Sequence, residues 1–261
     1  DDIVGVTFTG SAEAGRQVAS HAGAHLKRVV LELGGSDPAV VLDDADINLA
    51  AKVIVESRLN NSGQVCISAK RVIASKRILP ALQQAIEVLV QTYTMGDPQD
   101  NNTVLGPMAR QDLRETVHAQ VKASVEKGAK LVLGGKLPKG SGFFYPVTIL
   151  TDVSPGMSAF DEEVFGPVIA LIEADDEQEA IKLANQTPYG LGASIFTSDE
   201  ARGEQIAADL IEAGSCFVNG RVSSDPRVPF GGIKQSGFGR ELARDGILAF
   251  VNIKTVAIGH A

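Results

Sequence analysis

The chain of 261 residues is poor in cysteine: Cys66 and Cys216 are its only two, too few for a disulfide framework, which points to the reducing cytosol, a cytoplasmic setting. It lacks any apolar run near the roughly 18 residues that a membrane helix needs, so no membrane association is expected. It also lacks a basic stripe. The net charge is −8 with both signs scattered along the chain, which argues against a nucleic-acid partner. The four histidines, His21, His25, His118 and His260, show no Cys–His arrangement and no metal-ligand spacing, so neither a papain-like hydrolase nor a zinc site is expected. There is no internal repeat, no low-complexity tract and no basic n-region of a secretory signal. The chain also lacks an initiating methionine, and Ile3 to Phe8 reads as a strand with nothing before it to pair with. The expectation from that start is the later part of a longer protein.

What is present describes an ordinary globular protein, 44% hydrophobic and 21% charged, long enough to bury a sizeable core. Strand-like runs at 29–33, 39–42, 71–74, 131–133, 164–172, 193–197 and 216–219 alternate with helical patterns at 13–22, 47–60, 80–93, 111–127, 177–185, 201–213 and 240–251. Alternation of this kind predicts an α/β fold with much parallel sheet, and the unbroken β-branched strands predict cover on both faces. In the fourth helix Leu113, Val117, Val121 and Val125 recur every four residues as an apolar stripe.

Two short motifs carry chemistry. Glu32-Leu33-Gly34-Gly35 places a carboxylate at the end of a strand, and Gly63-Gln64-Val65-Cys66 places a thiol in a small, glycine-bearing loop. A thiol able to become thiolate is the best side-chain nucleophile for a carbonyl carbon, and a carboxylate in a partly dry cleft activates water to release an acyl group. The pair predicts a nucleophile, Cys66, and a general base, Glu32, opening onto one cavity. Upstream, Gly10-Ser11 precedes a helix whose N-terminal N–H groups suit an anion, although Ser11 as a plain N-cap explains the same residues. Cys216, inside the apolar run Ser215-Cys216-Phe217-Val218, reads as packing.

With these motifs the chain resembles the aldehyde dehydrogenase superfamily. Further matches follow in that family's order: Phe8-Thr9-Gly10-Ser11, Glu162-Glu163-Val164-Phe165-Gly166-Pro167, Asn219-Gly220, Pro229-Phe230-Gly231-Gly232, and Lys234 to Glu241. Residues 32–38, 95–98, 105–110 and 224–232 are most similar to the bacterial succinate-semialdehyde dehydrogenases.

The resemblance implies an aldehyde dehydrogenase-like α/β fold with three parts. Residues 1–34 would be the remnant of a Rossmann-type NAD(P)-binding domain, 35–235 the parallel-sheet catalytic domain, and 236–261 a return helix and an oligomerisation strand at Thr255–Ile258. It implies NAD or NADP as cofactor, with Gly10, Ser11, Leu33, Gly34, Glu163 and Phe165 as its contacts. The aldehyde pocket would use Ser224, Arg227 and Phe230. An arginine often stands six residues before the nucleophile in succinate-semialdehyde enzymes; here that place holds Asn60. Position 68 is serine, so a second-cysteine redox switch with Cys66 is not expected there. The implied partners are a small aldehyde and further copies of the chain, as a dimer or tetramer. Two rival readings remain at this point: transfer of the acyl group to coenzyme A, and a truncated, non-catalytic fragment acting only in assembly.

Overall fold

A computed structural model of the chain describes residues 2–259; His260 lies outside the described residues. Strand β1 (Gly5–Thr9) stops at Gly10, where the Ser11 hydroxyl accepts from the Ala14 N–H and caps helix α1 (Ala12–Ala24). Strand β2 (Arg28–Glu32) returns parallel to β1, with Thr9 opposite Glu32, and the Gly10 N–H donates to the Glu32 carbonyl at 3.0 Å. The chain end of this pair therefore carries the glycine–serine turn and the acidic residue side by side.

The larger unit follows. Its elements are β3 (Pro38–Val41), α2 (Ile47–Leu59), β4 (Arg71–Ser75), α3 (Leu79–Val90), α4 (Gln111–Glu126), β5 (Lys130–Leu133), β6 (Thr148–Thr151), α5 (Ser158–Asp161), β7 (Val168–Ala174), α6 (Glu177–Asn185), β8 (Gly192–Phe196), α7 (Glu200–Gln205) and β9 (Ser215–Val218). Seven strands form one sheet in the order β5-β6-β7-β4-β3-β8-β9, parallel throughout except for β5 against β6. The fold is α/β with a mostly parallel sheet, as the alternating pattern predicts.

Period-two alternation sorts the core. Val40, Ile73, Leu150, Ala170 and Ile172 face a cluster with α4, α5 and α6, while Ala39, Val41, Val72, Ala74, Ile169 and Leu171 face one with α2 and α3. Both faces are apolar, so the central strands are buried along most of their length, Glu173 near the end of β7 being exposed, and their ends are left to present polar loops. Among the described residues no helix is long and apolar enough to cross a membrane.

The last segment returns to the first sheet. Strand β10 (Gly237–Phe238) pairs antiparallel with β2, placing Gly237 opposite Glu32. Ser236, fully buried, fastens this return: its hydroxyl donates to the Gly34 carbonyl at 2.6 Å and accepts from the Gly190 N–H, and its own carbonyl accepts from the Leu33 N–H. Helix α8 (Ala243–Leu248) follows.

Several expectations need correction. The strand read at 164–172 begins only at Val168, because the Gly166-Pro167 pair interrupts it and Pro167 has no N–H for a ladder. The helix read at 240–251 shrinks to α8, since Leu242 and Ala243 take positive φ values of 63° and 47°. The four-residue stripe of α4 drifts around the helix, roughly 40° per step at 3.6 residues per turn. Val117 and Val121 are buried, whereas Val125 is exposed. Thr255–Ile258 forms no strand; Val256 and Ile258 are exposed in an irregular tail, and a strand without a neighbour has no ladder to join. β6, bounded by prolines and short, was not anticipated.

Candidate active site

The loop bearing Cys66 begins where α2 stops. Asn60–Gly63 form a 3₁₀ turn in which Asn61 and Ser62 adopt left-handed φ values of 50° and 56°, each costing about 1 kcal/mol or more. Arg58 holds this strained turn. Its side chain is fully buried and donates to the carbonyls of Gly63 (3.0 Å), Val164 and Val168 and to the Ser68 hydroxyl (2.7 Å). Burial pulls the Arg58 pKa down to about 9, which leaves it charged at neutral pH. Gly63, at φ 76°, faces the Gly166 carbonyl so closely that a Cβ would collide with it. The nucleophile turn and the Glu163–Pro167 segment are thereby stacked backbone to backbone.

Beneath the thiol, Lys70 is buried and donates to the carbonyls of Val65 (2.9 Å) and Cys66 (2.7 Å), with Glu163 Oε1 3.8 Å away. Burial lowers the Lys70 pKa to about 8, opposed by Glu163. The Cys66 thiol is half-buried, and burial pushes its pKa up while the Lys70 ammonium draws it back in part. Lys70 and Arg58 carry the site's geometry; Arg58 draws notice in the sequence only as the arginine two residues before Asn60, and Lys70 not at all. The signal that could have found Lys70 is a Lys70-Arg71 pair opening an otherwise apolar strand.

A cavity of about 530 Å³ opens beside this loop. It brings together Gly10 and Ser11 from the first turn, Leu33 and Gly34 from the end of β2, Cys66, and Glu163 and Phe165 from the segment before β7. Gln64 and Leu113 also line it and were not foreseen. A dinucleotide fits these residues on two observations. The N-terminus of α1, capped by Ser11, turns free N–H groups toward an anion at one end. At Gly34 a Cβ would strike the Glu163 carboxylate, so the wall there is bare backbone between the apolar side chains of Leu33 and Phe165. Glu163 itself accepts from the Gly35 N–H at 3.0 Å.

Glu32 departs from expectation. The residue is 4% exposed and does not line the Cys66 cavity, although Leu33 and Gly34 beside it do. The segment returning to β10 covers it: a Cβ on Gly231 would lie 2.9 Å from Glu32 Oε1. Neither carboxylate oxygen accepts a hydrogen bond of ordinary geometry. Burial, then the charge of Glu241, raises its pKa to about 7, against smaller opposing pulls from Arg240 and the Gly232 amide.

The profile of the aldehyde dehydrogenase family matches residues 1–256. The chain belongs to the aldehyde dehydrogenase family. Escherichia coli (strain K12) succinate semialdehyde dehydrogenase Sad, which is named for NAD(P)+, is 50% identical over 97% of this chain and 55% of its own length. The Streptococcus pyogenes succinic semialdehyde dehydrogenase, solved with NADP+, superposes with a TM-score of 0.96 at 39% identity, over 100% of this chain and 57% of that one. Betaine aldehyde dehydrogenase from Staphylococcus aureus, solved with NAD+, gives 0.90 at 32%, over 95% and 50%. The chain thus spans about 55% of the length of the curated relatives it matches.

This aldehyde dehydrogenase chain has a second, smaller cavity of about 170 Å³ against the same loop, lined by Asn60, Val65, Ile67 and Ser224 among others. Of the three residues expected in an aldehyde pocket, only Ser224 lies there. Arg227 is exposed and forks onto Asp225, and the Phe230 backbone pairs with Glu241 at 2.8 and 2.7 Å. Neither Arg227 nor Phe230 lines the two cavities beside Cys66.

Proposed function

We propose that this chain is the catalytic part of an NAD- or NADP-dependent dehydrogenase that oxidises a small aldehyde, succinate semialdehyde, to its acid. One observation carries the reading: Cys66 opens into the same cavity as the Gly10–Ser11 turn, the Leu33–Gly34 backbone and Phe165. The names of the relatives support the substrate. In this reading residues 1–34, rejoined by β10, are the remnant of the cofactor domain, 35–235 the catalytic domain, and 236–261 the segment that meets further copies of the chain in the cytoplasm.

Cys66 Sγ gives its proton to solvent water and adds as thiolate to the aldehyde carbon, and the carbonyl pair becomes an alkoxide. The family resemblance implies that the backbone N–H of Cys66 would stabilise that developing charge. Gly10, Ser11, Leu33, Gly34, Glu163 and Phe165 would hold the dinucleotide, which when bound would accept the hydride lost from that carbon. The carbonyl re-forms as a thioester on Cys66. Glu32 then takes a proton from water, whose oxygen attacks the acyl carbon and expels the thiolate. To reach the cavity Glu32 would turn out from under Gly231, giving up only the weak pull of the Gly232 amide. A pKa near 7 suits a base that gains and loses a proton at neutral pH.

The test is Cys66→Ala in the full-length protein, assayed for reduced dinucleotide formed from succinate semialdehyde. The expected result is loss of oxidation with an unchanged melting temperature. Turnover that survives the substitution overturns the assignment.

A further inference from the structure

The second cavity contains a cation that the sequence reading did not single out. Arg221 lines it together with Asn60, Ser223 and Ser224. No carboxylate lines this cavity; the acid next to Ser224, Asp225, is already gripped by Arg227. Among the described residues the side chains of Arg221, Asn60, Ser223 and Ser224 make no hydrogen bond to the protein, so a cation, an amide and two hydroxyls are free at one small opening.

Arg221 is placed there by anchored neighbours. Asn219 turns the chain at a φ of 54°, and its amide closes on both sides of Thr197, accepting from the Thr197 N–H at 3.1 Å and donating to the Thr197 carbonyl at 2.9 Å. Val222, buried, packs onto Gly192 of β8. Arg221, exposed, lies between these two anchored residues.

The cavity also has a fixed relation to the nucleophile. Val65 is a wall of both cavities, whereas Ile67, on the other side of Cys66 in the chain, lines only this one. Cys66 therefore sits on the partition between an opening suited to a dinucleotide and an opening with one positive charge and neutral donors. A monoanionic group carried by the aldehyde matches the second: a single carboxylate takes a guanidinium in a forked pair and the remaining donors on its other lone pairs.

We propose that Arg221, with Asn60 and Ser224, is the subsite that binds the distal carboxylate of an ω-carboxylated aldehyde, making Arg221 a specificity-determining residue. The inference rests on the aldehyde-oxidising reading above. In it Asn60 donates an amide N–H where an arginine would place a charge, and the charge comes instead from the segment after β9.

The experiment compares succinate semialdehyde with butanal, a neutral aldehyde of the same chain length, on the full-length protein and its Arg221→Gln and Arg221→Lys variants. The expected result is a fall of about tenfold or more in the ratio of the two kcat/KM values for Arg221→Gln, on the scale of one charge-assisted hydrogen bond. The change should lie in KM for the acid aldehyde, and Arg221→Lys should recover part of it. A ratio within about twofold of the parent protein, or a parent protein without preference for the acid aldehyde, overturns the proposal. Absence of oxidation of either aldehyde by the parent protein would instead strike the proposed function. A second measurement does not need turnover: succinate should protect Cys66 from iodoacetamide in the parent protein and not in Arg221→Gln. Equal protection in both, or none in either, overturns the subsite.

Discussion

Around Cys66 the backbone is gripped by buried cations, and around Glu32 the carboxylate accepts no hydrogen bond of ordinary geometry. Arg58 spends its donors on three carbonyls and a hydroxyl of the nucleophile loop and its neighbours, and Lys70 donates to the carbonyls on and before the cysteine itself. Glu32 lies under Gly231 with both oxygens unpartnered. Both regions are withdrawn from water, Glu32 further than the half-buried Cys66, and they are opposite in what that burial does. Burial with hydrogen bonds fixes a position, whereas burial without them makes a carboxylate a strong proton acceptor that is free to turn. A nucleophile needs the first property and a base needs the second.

The contrast breaks hardest at Arg58. Arg58→Met leaves carbonyls of Gly63, Val164 and Val168 without their donor and releases two left-handed residues of the turn, so a loss of about 5 kcal/mol is expected in urea unfolding. That is comparable to the whole margin of many domains, about 5–15 kcal/mol, and poor accumulation of the variant is the companion result. Stability equal to the parent protein would show that the cation is dispensable to the loop.

On the other side of the comparison, Glu32→Gln should keep the first turnover of dinucleotide reduction in the full-length protein and slow acyl release about a hundredfold. The same variant sharpens the physical account of the acid. Its folded pKa, about 7, stands above the ordinary 4.5, so the folded state holds the proton more tightly than the unfolded chain. The contribution to stability is therefore greatest below the unfolded value and is lost as pH rises from 4.5 to about 7. Urea midpoints at about pH 5 and about pH 8 should differ less for Glu32→Gln than for the parent protein. Asp37, raised to about 6 chiefly by burial, keeps a residual slope of the same sign. An unchanged difference would show that Glu32 is not the titrating group. At the small end, Arg227→Ala removes only an exposed pair with Asp225, and a change within about 0.5 kcal/mol is expected by the same unfolding measurement.

The parallel sheet was legible because β3, β4, β7 and β8 are unbroken apolar runs, and only a strand covered on both faces can be that. The cavity members near Cys66 were legible through the resemblance to the aldehyde dehydrogenases, since Gly10 and Ser11 alone read equally well as a plain helix cap. Arg58, Lys70 and Arg221 were not. A cation's burial, or its freedom from partners, depends on segments far from it in the chain: Val164 and Val168 for Arg58, Glu163 for Lys70, Asn60 for Arg221. The cover over Glu32 was hidden for the same reason, since it comes from Gly231 and Glu241 some 200 residues later. Local pattern finds elements and misses what those elements are pressed against.

Ser236 gives that distance a practical meaning. Its hydroxyl and carbonyl are the rivets between the returning segment and the Leu33–Gly34 backbone. A protease that nicks the chain just ahead of this serine would leave every residue of the thiol loop in place. It would nonetheless cut the Gly231 cover over the acid, two hundred positions upstream, loose from the serine that anchors it.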